Sequence, residues 1–313
     1  YFKRVGVTPI VIAIFEAVVA VIFVILGLII AGYEVPFSLV LGAIAAATAP
    51  AATVMVIKQY KAKGPLTETL LSVVALDDAV ALIAFGFAVT VAKSIESPAS
   101  GSPLLSILDP FIEIATAVVI GALLGAIFSF VLRWFKSSSN RLILSIAFVF
   151  IAIALSTLLN VSSLMMCMSM GAILANVSST SDTIMKITDS VTPPLFMIFF
   201  VISGAELQLS VIPTIGLVGV IYVVLRVAGK MFGAWAGAAL MKAPETVRRW
   251  LGPTLVPQAG VAIGLSLVAE SVVPQYASVI RAVVLCATLI YEIIGPMVTK
   301  ICLKKAGEIS ADA

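Results

Sequence analysis

The sequence contains no histidine and few charged residues. Only 11% of its 313 residues are Asp, Glu, Lys or Arg, whereas a soluble domain carries roughly 25% charged residues. Because histidine is absent, any response to pH near neutrality must come from carboxylates or lysines in unusual surroundings. The net charge of +3 is small and dispersed along the chain, so it indicates no nucleic-acid partner.

Cysteine is also scarce. The three cysteines are Cys167, Cys286 and Cys302, and all of them fall within apolar segments. This placement favours buried small hydrophobic side chains over disulfides or metal ligands. The sequence therefore predicts no redox chemistry and no resident cofactor.

Hydrophobic residues are abundant, at 61% of the chain. Apolar runs such as residues 9–30 are as long as the ~20 residues that a helix needs to cross a bilayer. The chain is therefore predicted to be an all-α integral membrane protein with the lipid bilayer as its main solvent. About ten transmembrane helices are expected, over residues 9–32, 36–57, 67–92, 108–132, 142–159, 163–178, 191–207, 211–240, 250–271 and 275–299.

The basic residues of the predicted loops lie, with the exception of Lys93, in every second loop and therefore on one side of the membrane, as the positive-inside rule requires. Both ends of the chain are then predicted to be cytoplasmic, and Lys93 lies in an outer loop. The cytoplasmic group consists of Lys3, Arg4, Lys58, Lys61, Lys63, Arg133, Lys136, Arg141, Lys186, Lys242, Arg248, Arg249, Lys300, Lys304 and Lys305.

The predicted linkers are short, apart from an outer segment at residues 94–106 and an inner segment at residues 177–190. They leave no room for a second soluble domain, so residues 1–313 are interpreted as one transmembrane domain. The first residue, Tyr1, is not a start methionine. We therefore expect N-terminal helices of a longer protein to be missing from this sequence.

Two adjacent aspartates, Asp77 and Asp78, lie near the centre of the third predicted span. Placing an ionised Asp there costs about 2.5 to 3.5 kcal/mol on insertion scales. Adjacent carboxylates also repel one another and titrate as a coupled unit. The pair is therefore predicted to hold either protons or a small cation, although a structural pair hydrogen-bonded to neighbouring helices is the alternative.

Two basic residues, Arg226 and Lys230, lie four residues apart in the eighth predicted span and so share one helical face. Asp77 and Lys230 are each about ten residues from the inner ends of their spans, which places both roughly 15 Å deep at 1.5 Å per residue. The matching depth favours Lys230 as the partner of one aspartate. Arg226 is predicted to be a structural residue paired with Glu292, but it remains the alternative counter-charge.

Two predicted spans are interrupted at mid-depth by residues that break helices. The first interruption is at Thr48, Ala49 and Pro50, and the second runs from Pro253 to Pro257 and continues into Gln258 and Gly260. Each could be an ordinary kink, but paired interruptions in two halves of a chain indicate the midplane site of a transporter. Spans one to three and eight to ten are then predicted to be inverted-topology repeats. The opened carbonyls, and Thr48, are expected to face a cation.

Six motifs together resemble the monovalent cation/proton antiporter superfamily, in particular the branch of bacterial sodium/proton antiporters and Kef-like potassium efflux proteins. The resemblance follows the expected order over nearly the whole chain. The motifs are GAIAAATAPAATVMV at residues 42–56, LDDA at 76–79, FFVISGAEL at 199–207, RVAGK at 226–230, PQAGVAIGL at 257–265 and YEIIGP at 291–296.

The resemblance implies a homodimer in the bacterial or archaeal plasma membrane, with the ten spans equivalent to helices three to twelve of a twelve-helix relative. It implies a mobile core, at about residues 36–92 and 211–299, and a static remainder that carries the dimer contacts. It assigns ion binding to Asp78 and a lysine salt bridge to Asp77. One branch has a TDP motif where this chain has Ala49, and the departure fits the branch considered electrogenic.

The function expected from these features is secondary active antiport, not enzymatic catalysis. A monovalent cation, Na⁺ or Li⁺ by preference and K⁺ as the alternative, exchanges for protons by alternating access at Asp77 and Asp78. An intramembrane aspartyl protease also needs two membrane aspartates, but it carries them on separate helices and one lies in a GxGD motif that is absent here. A passive channel would not require paired broken helices or a buried lysine.

Overall fold

A computed structural model of the protein describes residues 6–96, 103–205 and 216–309. Within these ranges the chain forms twelve α-helices and no β-strand. The helices are α1 Thr8–Ile30, α2 Val35–Ile44, α3 Pro50–Tyr60, α4 Pro65–Glu96, α5 Pro103–Val131, α6 Ser138–Leu159, α7 Ser163–Val177, α8 Ser181–Ala205, α9 Gly216–Leu240, α10 Glu245–Thr254, α11 Gly260–Val272 and α12 Ala277–Lys305.

Six of the described helices, α1, α4, α5, α6, α9 and α12, are long and apolar enough to cross a membrane. Large apolar side chains lie exposed on their surfaces, such as Leu123 at 59% and Phe150 at 66%. In water such surfaces would be unfavourable, whereas lipid tails solvate them. The predicted all-α membrane fold is therefore confirmed, and the number of ten spans stays a prediction.

The predicted linkers at residues 94–106 and 177–190 were too long. Helix α8 begins at Ser181, ten residues before the predicted span. Just before it, the Ser178 hydroxyl accepts a hydrogen bond from the Thr180 backbone amide (3.3 Å). Pro193 and Pro194 lie inside the helix.

At the outer linker, α5 already begins at Pro103, and Lys93 lies in α4 instead of a loop. Residues 97–102 are outside the described part of the chain, as are Lys3, Arg4 and the last two residues of the motif at 199–207.

The chain divides into two compact units, which are described separately. The first comprises Tyr1–Ser97 and Glu206–Ala313 and contains α1 to α4 and α9 to α12; the predicted core segments 36–92 and 211–299 fall within it. The second comprises Pro98–Ala205 and contains α5 to α8. Its interior includes the stacked rings of Phe128 and Phe148, whose centroids are 4.5 Å apart.

The two interrupted helices are present in the first unit. Helix α2 ends at Ile44 and α3 begins at Pro50, while α10 ends at Thr254 and α11 begins at Gly260. The second interruption starts later than expected, because Pro253 is accommodated in the last turn of α10. The two non-helical stretches meet, since the Ala49 amide donates a hydrogen bond to the Pro257 carbonyl (2.9 Å). The prediction of two discontinuous helices is confirmed.

Helices α1 and α9 pack with their backbones in close approach along a row of glycines spaced four residues apart. The row consists of Gly229, Gly233 and Gly237. A Cβ atom at Gly229 would lie 2.6 Å from the Cα of Ala20, and one at Gly233 would lie 2.6 Å from the Cα of Glu16. Small residues at a helix interface allow such an approach in a membrane. The same register brings the Glu16 side chain beside Lys230.

We expect Gly233→Ala to destabilise the protein by about 1 to 3 kcal/mol, because the new methyl group would overlap the backbone of α1. The matched control is Gly219→Ala on the same helix, where a Cβ atom meets nothing within 4 Å and the higher helix propensity of alanine is the only change. Thermal unfolding in detergent measures both variants. Equal unfolding temperatures would contradict the close approach of α1 and α9.

Candidate functional site

The Lys230 side chain lies at the centre of a fully buried polar cluster in the first unit. Its ammonium Nζ is 2.7 Å from Glu16 Oε2 and 3.1 Å from Asp77 Oδ2. It also donates hydrogen bonds to the Thr48 hydroxyl (2.7 Å) and to the Ala46 carbonyl. Lys230, Glu16 and Asp77 have no exposed surface, and Thr48 is 2% exposed. Four anionic or neutral oxygens therefore surround one ammonium group.

Three separate elements deliver these oxygens. Glu16 comes from the middle of α1 and Asp77 from α4, while Ala46 and Thr48 belong to the non-helical stretch between α2 and α3. A charge buried in a membrane is stable only when it is paired and hydrogen-bonded. The lysine therefore holds three parts of the unit together at one point.

The carboxylates in and beside the cluster retain unused acceptor oxygens. In the described chain, Glu16 Oε1, Asp77 Oδ1 and the buried Asp78 Oδ1 have no hydrogen-bond partner. Asp78 follows Asp77 on α4 and is partly buried. Two carboxyl groups therefore contact the ammonium of Lys230, and a third, that of Asp78, follows directly on the same helix. Such a site can accept further positive charge, either as protons or as a cation whose preferred ligands are oxygens.

Arg226 lies one turn from Lys230 on α9 and binds the two interrupted helices. Its guanidinium donates to the carbonyls of Ala45 (3.1 Å), Ala47 (2.7 Å) and Val256 (2.8 Å). The guanidinium carbon also lies 4.5 Å from the centre of the Tyr291 ring. The fixed fork of donors in arginine suits several acceptors at once. Arg226 thereby satisfies the carbonyls that the broken helices leave open.

The predicted ion pair between Arg226 and Glu292 is wrong. The donors of Arg226 are directed at carbonyls of the broken helices, and Glu292 Oε1 is buried without a hydrogen-bond partner in the described chain. The sequence placed both residues in spans but could not show that the opened carbonyls lie at the depth of Arg226. The carbonyls of residues 45–47 are likewise bound by Arg226 and Lys230, although the sequence suggested that they face a cation.

The remaining residues predicted from the interruptions lie at the two breaks. Pro50 and Gly260 are the first residues of α3 and α11, and Ala49 and Pro257 are joined by the hydrogen bond between the breaks. The Gln258 side chain is fully buried and donates to the Ile44 carbonyl (3.0 Å). These residues therefore fix the contact between the broken helices, next to the cluster around Lys230.

Glu16 was not predicted from the sequence, although a signal was present. It is the only charged residue in the 23 residues of α1, and it lies in the middle of an apolar helix. Placing a carboxylate inside a membrane is costly, and this cost singles out Glu16 just as it singles out Asp77 and Asp78. A single carboxylate is a weaker sequence signal than an adjacent pair.

Comparisons with known proteins bear on the family and the fold of the chain. The model of the family described as sodium/hydrogen exchanger, transmembrane, matches residues 1–305. Among solved structures, the sodium proton antiporter MjNhaP1 from Methanocaldococcus jannaschii is similar with a TM-score of 0.80 and 16% sequence identity, over 97% of this chain and 80% of that chain. A search of curated proteins gave no match. The superfamily predicted from the motifs is confirmed, and the structural likeness shows that the fold is shared.

We expect Lys230→Gln to lower the stability of the protein by about 3 to 5 kcal/mol, because it strands buried carboxylates. Combining it with Asp77→Asn or with Glu16→Gln should cost less than the sum of the two single losses, since each pair shares one contact. Thermal unfolding measures these double-mutant cycles, with the exposed Lys93→Gln as the control. Additive losses would contradict the energetic coupling of Lys230 to that carboxylate.

Proposed function

This chain belongs to the sodium/hydrogen exchanger family, and we propose that it exchanges Na⁺ or Li⁺ for protons by alternating access at the cluster around Lys230. Members of such a family are transporters. The two aspartates here are adjacent on one helix, whereas an intramembrane aspartyl protease carries its two aspartates on separate helices. The antiport needs no resident cofactor, because the cation and the protons are its substrates.

The observation that supports this proposal is the excess of unused carboxylate oxygens around Lys230. Among the described residues, Glu16 Oε1, Asp77 Oδ1 and Asp78 Oδ1 are buried and have no hydrogen-bond partner. Buried acceptors of this kind are costly when they stay unsatisfied. Binding either a proton or a cation removes that cost, and both ligands use the same oxygens. One site can therefore couple two opposite flows.

In the proposed cycle, Asp78 is the main cation ligand and Asp77 assists it. When the cation approaches, the protons held by these carboxyl groups leave, because the same oxygens cannot bind both. The cation also weakens the contact between Asp77 and Lys230 by taking the carboxylate charge. Glu16, at 2.7 Å from Nζ, then remains as the anionic partner of Lys230. The ammonium is therefore not stranded in either loaded state.

The broken helices have a structural part in this cycle. Arg226 and Lys230 occupy their open carbonyls, so the contact between the breaks is held by α9 and can move with it as one body. We propose that this body is the mobile core and that the protein acts as a homodimer in the plasma membrane with both ends of the chain cytoplasmic. Helices α1 to α4 and α9 to α12 are then the two inverted repeats.

We expect Asp78→Asn to abolish exchange while the protein stays folded, because the amide keeps the shape of the carboxyl group but cannot titrate or supply charge. The assay is cation-driven pH change in sealed proteoliposomes, with a panel of Na⁺, Li⁺ and K⁺. Glu68→Gln, an exposed carboxylate on the same helix, is the matched control and should retain exchange. Native rates in Asp78→Asn would show that the site lies elsewhere.

We also expect the apparent cation affinity to fall as the pH is lowered, because protons compete with the cation for the same carboxylates. The measurement is the half-saturating cation concentration across roughly pH 5 to 9, a window wide enough for shifted carboxyl groups to titrate. The maximal rate at saturating cation should change less than the affinity over the acid half of this range. A constant half-saturating concentration would count against a shared site.

A further inference from the structure

The N-terminus of α4, the helix that carries both aspartates, is capped by a residue from the opposite end of the chain. The Glu308 carboxylate accepts hydrogen bonds from the backbone amides of Leu66 and Thr67, each at 2.7 Å. It also accepts one from the Thr67 hydroxyl at 2.7 Å. In addition, the Lys63 amide donates to the Glu308 carbonyl (3.1 Å). A carboxylate in this position satisfies free amides and complements the helix dipole.

The sequence before α4 is adapted to this distant cap. An ordinary N-cap would use the side chain of the residue before the helix, but that residue is Gly64 and has none. Its φ of +155° is rarely adopted by other residues, and a Cβ atom there would lie 2.4 Å from Glu308 Cδ. Gly64 therefore leaves the space that the Glu308 carboxylate fills. Glu308 itself is only 9% exposed.

The neighbours of Glu308 are bound as well. Ile309 is 6% exposed and belongs to the same apolar cluster as Leu66 and Leu70 of α4 and Leu303 of α12. The segment that follows α12 thus binds α4 through both a carboxylate and an apolar side chain. A movement of this segment would necessarily move the start of α4.

A movement of the start of α4 can reach the site, because the same helix carries Asp77 and Asp78. Asp77 lies ten residues beyond Thr67, which is roughly 15 Å along a helix. The residues from Leu66 to Asp78 include no glycine or proline, so no kink of the usual kind separates the cap from the aspartates. Asp77 already contacts Lys230 at 3.1 Å. A small tilt of α4 at Glu308 would alter this distance.

We propose that Glu308 is a positioning residue for cation binding, which sets the placement of Asp77 and Asp78 by fixing the N-terminus of α4. The inference rests on the proposed antiport at these aspartates. Glu308 touches neither aspartate and acts through the helix alone. The segment after α12 is therefore a point at which the affinity of the site can be adjusted.

The test is Glu308→Gln, measured as the half-saturating Na⁺ concentration in proteoliposomes with an imposed pH gradient. Glutamine has one acceptor oxygen where the carboxylate has two, so the two backbone amides no longer have separate acceptors. We expect this concentration to rise about tenfold, as loss of a residue that orients a ligand typically causes. Thr67→Val removes only the hydroxyl contact and should raise it less. In a Glu308→Ala background, Thr67→Val should add no further change, because the partner of the hydroxyl is then absent. Glu68→Gln removes an exposed charge from the same turn and should leave the value unchanged.

A cap with a purely structural role would lower the unfolding temperature and the yield of folded protein but leave the half-saturating concentration of the folded fraction unchanged. A native value in Glu308→Gln therefore overturns the inference while the antiport stands. Where Glu308→Gln cannot be purified, Thr67→Val decides by the same criterion. Failure of the wild-type protein to exchange Na⁺ for protons, with Asp78→Asn indistinguishable from it, overturns the inference and the proposed function together.

Discussion

A lysine ammonium inside a membrane is stable only if oxygens replace its hydration shell, and the structure around Lys230 is organised by this requirement. One oxygen comes from each of Glu16, Asp77, Thr48 and Ala46, which belong to three elements that are distant in sequence. None of the four oxygens belongs to α9 itself. The position of α9 relative to α1, α4 and the first broken helix is therefore tied to a single charge.

The broken helices depend on the same helix for a related reason. Breaking a helix within a membrane exposes carbonyls that must find donors, and Arg226 supplies donors to both breaks. Arg226 and Lys230 are four residues apart and so project from one face of α9. Arg226 binds carbonyls and Lys230 binds carboxylates. One face of α9 therefore carries a structural residue and, one turn away, a residue of the proposed ion-binding site. Exchanging their roles would leave either the breaks or the carboxylates unsatisfied.

The close approach of α1 and α9 makes this arrangement possible. Side chains larger than hydrogen at Gly229 and Gly233 would meet the backbone of α1, and the Glu16 carboxylate would then lie farther from Lys230. At the other end of the unit, Gly64 serves the same purpose, because its missing side chain admits the Glu308 carboxylate. In both places glycine allows an acidic group to reach a partner that lies far away in the sequence.

The sequence by itself determined the membrane class and the two interrupted helices, and it singled out Asp77, Asp78 and Lys230 as charged residues within spans. These features follow from local rules: a bilayer sets the length of apolar runs, proline breaks helices, and a charge in a span is costly wherever the helix packs. Only the tertiary structure decided that Arg226 binds carbonyls instead of Glu292, that Glu16 is a partner of Lys230, and that Glu308 caps α4. Each of these is a contact between distant segments, and the composition and periodicity of one segment carry no information on the depth and direction of side chains from another.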